Sequence, residues 1–210
     1  FIIVGTPSGV TLAPEGGAHQ SIGAQLIGMS QDGLVSFEPA FLDELSIIMD
    51  WSFDYLQRDG DGDPDERTWL RDETGGSVYL RLTTRQLEQV RWRIGNNRRD
   101  IGVLAVTSAD RLNSGWTAAR RARVRGNKGA KSQIERLMEL VPRDCTLITV
   151  TDGHPATLAW IGGVKGHATT PLGVEHFGQT GTIRDLYRHF QIDAEAIVSA
   201  ASHLSPGKVI

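Results

Sequence analysis

Short apolar runs alternate with amphipathic stretches along this chain, and that alternation narrows the folds open to it. Phe1-Ile2-Ile3-Val4, Leu34-Val35-Ser36-Phe37, Ser77–Thr84, Ile101–Val106, Thr146–Val150 and Pro171–Val174 read as strands, the first of them as a buried one. After Glu38-Pro39, the residues Phe41, Leu42, Leu45, Ile48, Met49 and Leu56 recur at helical spacing and form one apolar face. Proline loses nothing in a first helical turn, where its missing N–H has no intrahelical partner. Further helices are predicted over residues 116–125 and 132–140, from His154-Pro155 onward, and over 182–190 and 193–202. Thr182 and Asp193 suit the last two as N-caps, because their side-chain oxygens accept from free first-turn amides. Strands alternating with helices predict an α/β fold with a largely parallel sheet.

Composition bounds the rest. At 210 residues, 40% hydrophobic and 22% charged, the chain has room for one large or two small domains of ordinary globular type. No apolar run approaches the ~20 residues needed to span a membrane. Phe1 opens a strand-like segment without a charged leader, and the chain starts in mid-element without methionine, so it reads as a fragment. Cys145 is the sole cysteine, which rules out an internal disulfide, and its apolar setting predicts an inert core thiol in a reducing cytoplasm. The net charge of −3 gives no general pull toward nucleic acid. The basic run Arg120–Lys131 could neutralise phosphates, but no aromatics interleave it, and it reads as a solvated helix end and loop. Arg58–Glu66 resembles the opening of a calcium loop. It fails at Pro64, where the tight turn wants glycine, and at Leu70, where a bidentate Glu is needed, so it too reads as a solvated loop.

Two places carry chemistry. In Thr11–Gln20 a carboxylate, Glu15, and an imidazole, His19, lie four residues apart with Gly16 and Gly17 between them. Glycine lets backbone turn sharply or approach a ligand, and a loop histidine titrates near neutral pH, with a free pKa of about 6.5. The second place is Arg85, at the end of the Ser77–Thr84 strand. Its planar fork suits a phosphate or carboxylate, which it can hold with two parallel hydrogen bonds. His154, His167, His176 and His189 fit no metal-ligand spacing and are expected in structural or surface roles.

Thr11–Gln20 resembles the Glu-Asp-Gly-x-x-His loop in the pyrimidine-binding domain of transketolases and its counterpart in the homodimeric decarboxylating component of bacterial pyruvate dehydrogenase complexes. Asp152–Gly163, Leu172–Gly181 and Asp185-Leu186-Tyr187-Arg188-His189-Phe190 resemble, in order, the C-terminal domain core, its Phe-Gly turn and the last helix of the pyruvate dehydrogenase type. The resemblance implies a three-layer α/β/α architecture. Residues 1–85 would be the end of a pyrimidine-binding domain, 86–100 a linker, and 101–210 a transketolase C-terminal-like domain, shortened by its first strand and helix. It implies thiamine diphosphate and Mg2+ as cofactors, bound mainly outside this chain, since Gly60-Asp61-Gly62 follows an amphipathic helix rather than the buried strand expected of a diphosphate motif. It further implies a homodimer, a dihydrolipoyl acyltransferase partner, a small 2-oxo acid such as pyruvate as substrate, and no role for nucleic acid or membrane. By the same resemblance His19 is the catalytic acid/base, while Glu15 and Arg85 bind substrate. Arg85 favours the transketolase pattern and a sugar phosphate; the closing helix favours the pyruvate dehydrogenase type. An isolated remnant that keeps only an interaction surface is the third expectation, with no turnover by the 210 residues alone.

Overall fold

The computed structural model describes residues 1–6, 9–17, 20–31, 33–58, 75–83, 85, 102–176 and 178–203. They form an α/β structure with two open parallel sheets. The elements run β1 (Ile2–Gly5), α1 (Ala24–Ser30), β2 (Leu34–Phe37), α2 (Leu42–Leu56), β3 (Ser77–Arg81), α3 (Ala109–Val124), α4 (Gln133–Met138), β4 (Leu147–Val150), α5 (Ala156–Ala159), β5 (Thr169–Leu172), α6 (Ile183–His189) and α7 (Ala194–His203). Short 3-10 turns cover Ala13–Glu15 and Trp160–Val164.

The first sheet has the order β1-β3-β2, with Val78 of β3 opposite both Ile2 and Val35. β3 is paired on both edges, and Val78 and Leu80, which share one of its faces, are fully buried. Together with Val35, Ile48 and Tyr55 they form one core beneath α2. The expectation of a buried first strand is corrected: β1 is an edge strand, with Ile3 42% and Val4 54% exposed.

The other edge of this sheet is sealed in an unusual way. Residues 102–106 form no strand, contrary to the sequence expectation for Ile101–Val106, and Val103 and Leu104 are exposed. The segment Thr107–Asp110 instead meets β2 mainly through side chains. Ser108 Oγ donates to the Ser36 carbonyl at 2.6 Å, and the Ser36 amide donates to Asp110 Oδ2 at 2.9 Å. The Glu38 amide donates to the Thr107 carbonyl at 2.7 Å. An edge strand's free amides and carbonyls need such partners. An apolar run satisfies them only if its backbone pairs; here two polar side chains do the work, and the run has no strand to join.

Several boundaries shift for local reasons. α2 starts at Leu42, not at Pro39, because Glu44 takes the Ala40 and Phe41 amides, at 2.9 and 3.1 Å, and fixes the helix start there. α3 starts at Ala109, not residue 116, because Ser108 Oγ accepts from the Arg111 amide at 3.1 Å. Ser132 and Glu135 cap α4 reciprocally, as Thr182 and Asp185 cap α6. Asp193 Oδ1 accepts from the Ala196 amide at 3.0 Å ahead of α7, as expected of it.

β4 and β5 form the second sheet, with Leu147 opposite Thr169 and Val150 opposite Leu172. β5 thus lies two residues earlier than the predicted Pro171–Val174. Pro171 falls inside it, tolerated because this edge strand needs no ladder donor there. Ile134, Met138 and Ile161 form the core behind α4, with the stacked rings of Trp116 and Trp160 packed against it. Cys145 is half-buried at the turn before β4, its amide donating to the Pro142 carbonyl at 3.1 Å, so the expected core-strand position is also corrected. Among the described residues no helix is long and apolar enough to cross a membrane.

Candidate functional site

Parallel strands bring their carboxyl ends to one side, where open α/β sheets form crevices. Arg81 ends β3, Glu38 directly follows β2, and Asp152 lies two residues beyond β4. These three residues meet. Arg81 is 2% exposed. Its Nη1 donates to Glu38 Oε1 and, at 3.3 Å, to Asp152 Oδ1, which also accepts from Nη2 at 3.4 Å. From α1, Gln25 Nε2 donates to the other Glu38 oxygen. Burial lowers the Arg81 pKa from its ordinary value, and the Asp152 carboxylate acts against that by charge and hydrogen bond. A buried guanidinium needs such compensation. Two oriented atoms, Arg81 Nε and Gln25 Oε1, are buried with no partner among the described residues.

Asp152 is held from the far side as well. Gly9 adopts φ +50°, and a Cβ at that position would run into the Asp152 carboxylate, so only glycine fits. Tyr187, packed at the edge of a nearby core, has its phenol pKa raised, first by burial and then by the Asp152 charge, while Arg85 acts in the opposite sense. Arg85 itself is exposed just past β3, with its amide donating to Thr83 Oγ1 at 3.2 Å.

The loop that carries Glu15 is fastened to a distant part of the chain. Val10 and Ala13 are fully buried in a core with Val174, Leu186 and Ile192. The Gly181 amide donates to the Ala13 carbonyl at 3.3 Å. Gln20 donates from Nε2 to the Gln179 carbonyl at 2.9 Å, and its Oε1 accepts from the Gly178 amide at 3.1 Å. Gly16, at φ +73°, passes so close to Thr180 that a Cβ would sit 2.5 Å from its Oγ1. Glu15 is exposed at the end of its 3-10 turn. His19 lies outside the described residues, as do residues 59–74 and 86–101, which hold the acidic loop and the linker.

Of the residues singled out by sequence, Glu15 and Arg85 are both placed at the surface, and Arg85 is brought within electrostatic reach of Tyr187. The Gln25–Glu38–Arg81–Asp152 cluster escaped the sequence reading. Its signals were there: an arginine inside the otherwise apolar run Val78-Tyr79-Leu80-Arg81-Leu82, and an aspartate just beyond the carboxyl end of a strand. The remaining histidines have ordinary settings. His167 is buried with Nε2 at 3.1 Å from the Pro142 carbonyl, His154 Nδ1 accepts from the Ala156 amide at 3.2 Å, and His176 is exposed. Among the described residues no group of three His, Cys, Asp or Glu could hold a metal ion.

The basic run is partly tied up within the chain. Arg123 donates to the Ala130 carbonyl at 2.7 Å and to Glu135 at 2.8 Å, Lys131 pairs with Glu139, and Arg120 stacks 4.9 Å over Trp116. A separate apolar groove of about 770 Å³ runs along α3, lined by Phe37, Leu104, Ala118, Ala119 and Leu137 among others, and by none of the four cluster residues. In comparisons with known proteins, no family model and no curated protein matches the chain.

Proposed function

We propose that this chain is part of a thiamine diphosphate-dependent 2-oxo acid dehydrogenase of the pyruvate dehydrogenase type. In this reading residues 1–85 complete a pyrimidine-binding domain, 86–100 link it onward, and 101–210 form a shortened transketolase C-terminal-like domain. The observation that carries the reading is the fastening of the Thr11–Gln20 loop onto residues 178–181. Two stretches more than 150 residues apart, each resembling the same family, meet in space through Ala13, Gln20 and Gly16.

The cofactor would supply carbanion stabilisation, and the protein would bind, orient and move protons. In this reading thiamine diphosphate and Mg2+ would be held mainly by parts outside this chain, as the resemblance implies, and no step is routed through them. His19 would exchange a proton with the substrate oxygen, Glu15 would accept from a substrate hydroxyl, and Arg85 would hold an anionic group. The acyl product would pass to the lipoyl arm of an acyltransferase partner, in a cytoplasmic homodimer. Arg85, exposed past the carboxyl end of β3, favours a second reading, ketol transfer between sugar phosphates.

The test is turnover by the native polypeptide from its source, supplied with thiamine diphosphate, Mg2+ and a lipoyl acceptor. Release of CO2 from pyruvate is expected, and His19→Ala should lower kcat by about 100-fold or more, the usual size of a lost acid/base. Unchanged turnover in that variant removes His19 from the mechanism. Turnover of a sugar phosphate but not of pyruvate selects the second reading. The 210 residues alone should release no CO2, and measurable decarboxylation by them would overturn the division of labour stated above.

A further inference from the structure

We propose that Arg81 is a positioning residue, which through Asp152 and Gly9 holds the Glu15 loop in register with the carboxyl ends of the strands. Its catalytic consequence rests on the reading above; its structural consequence does not.

Arg81 ends the central strand of the first sheet, and Glu38 and Asp152 approach it from chain segments 43 and 71 residues away. An arginine is suited to this because its fork can serve two carboxylates at once from a fixed plane, and it stays charged when buried. Only one of its partners, Asp152, touches the other sheet's strand end, so the guanidinium is the fastening between the two sets of carboxyl ends.

Asp152 then acts on the loop by shape. Gly9 sits against its carboxylate with no room for a Cβ, and the Gly9 carbonyl accepts from the Ser21 amide at 3.2 Å, closing the base of the segment that carries Glu15. The next residue, Val10, is fully buried. A displacement of Asp152 therefore moves the base of the loop while its tip stays fastened to residues 178–181. Gln25 completes the arrangement: it fixes Glu38, and its own position is set by Gly153, the neighbour of Asp152, where a Cβ would strike its Oε1. The Asp152 charge also reaches the Tyr187 phenol.

Two variants separate positioning from mere support. Asp152→Asn keeps the side chain's size but loses the charge that anchors it to Arg81, while Arg81 keeps its Glu38 partner. Arg81→Lys keeps a charge but cannot span both carboxylates. Amide hydrogen exchange on the purified chain is the first readout. Both variants should speed exchange of the amides in residues 9–17 by about 10-fold or more, while the Val78 and Leu80 amides in the central strand keep their protection. If loop and strand amides accelerate together, or if Asp152→Asn leaves the loop unchanged, the positioning role is overturned. The second readout is kinetic, on the native polypeptide with pyruvate. Misplacement of a substrate-facing loop should lower kcat by about 10- to 100-fold with little change in KM, and unchanged kcat in both variants overturns the catalytic half of the proposal. A wild-type polypeptide that turns over neither pyruvate nor a sugar phosphate refutes the functional reading alone, since the exchange data judge the fastening independently.

Discussion

β3 has a hydrogen-bonded neighbour on each side, and its Val78 and Leu80 are buried almost completely. β4 and β5, among the described residues, have only each other, and none of their eight residues is fully buried. Both sheets are parallel, yet the first behaves as a core and the second, whose β5 reads Thr-Thr-Pro-Leu, as a surface ribbon backed by helices. The difference lies in edges. β1 covers one flank of β3, and β2, on the other flank, is itself closed by Ser108 and Asp110. The β4–β5 pair draws its support from the Trp116–Trp160 stack and the Ile134 core behind it. Burial of a strand thus follows what packs on its faces as well as its own apolar content: β3 lies under the α2 core, whereas β5 is half polar and has less covering it.

The largest effect expected from this contrast is in matched truncations. Leu80→Ala empties a site with 1% exposure and should cost about 3 kcal/mol, the usual loss for a buried leucine. Leu147→Ala removes the same atoms from a half-buried position in β4, where less surface returns to water, and should cost about 1 kcal/mol. Urea unfolding followed by tryptophan fluorescence measures both. Equal losses would show that the second sheet is as tightly packed as the first and would end the comparison.

The same contrast explains what could be read from the sequence. β2, β3, β4, α2, α6 and α7 were legible because each carries its own pattern: apolar alternation or runs, a helical stripe, or the capping residues Thr182 and Asp193. Ile101–Val106 carries a strand's composition, but a strand exists only where a partner offers its ladder, and the edge of β2 is taken by side chains of residues 108 and 110. α1 was missed for the opposite reason. Ala24–Ser30 contains good helix formers but is only seven residues long, with Gly23 before it and Gly28 inside it, too short to stand by propensity, and it is held by packing against β2 and α3. The candidate site divides likewise. The Glu15 loop announces itself locally by its glycines and carboxylate. Arg81 looks like one polar position in an apolar run, and its two carboxylates come from segments whose proximity only the fold creates.

Two carboxylates near helix starts, one beside each sheet, should answer pH in opposite directions. Asp110, at the edge of β2, has its pKa raised above 3.8 by burial, against the opposing hydrogen bonds from the Ser36 amide and Ser114 and the nearby Arg111 charge. A carboxyl whose folded pKa is raised is held more tightly as the acid, so its contribution favours the fold below 3.8 and is lost as pH rises through the folded value. Glu135, capping α4 behind the second sheet, is pushed up by burial, but the Arg123 guanidinium and the Ser132 amide and hydroxyl outweigh this and bring it to about 2. Its contribution is present above 4.5 and is lost as pH falls toward about 2. Glu135→Gln should therefore cost about 1 kcal/mol at pH 7, and the cost should begin to shrink below 4.5, with part of it still present at pH 3. Asp110→Asn keeps an oxygen to accept from Ser36; its penalty, also about 1 kcal/mol at most, should be smallest at pH 7 and grow as the wild-type carboxyl takes up its proton. Urea midpoints of the two variants, taken from pH 7 down to pH 3, test the pair. Parallel trends would mean that both carboxylates meet the same environment, and the difference between the sheltered edge of the first sheet and the ion-paired backing of the second would not extend to their charges.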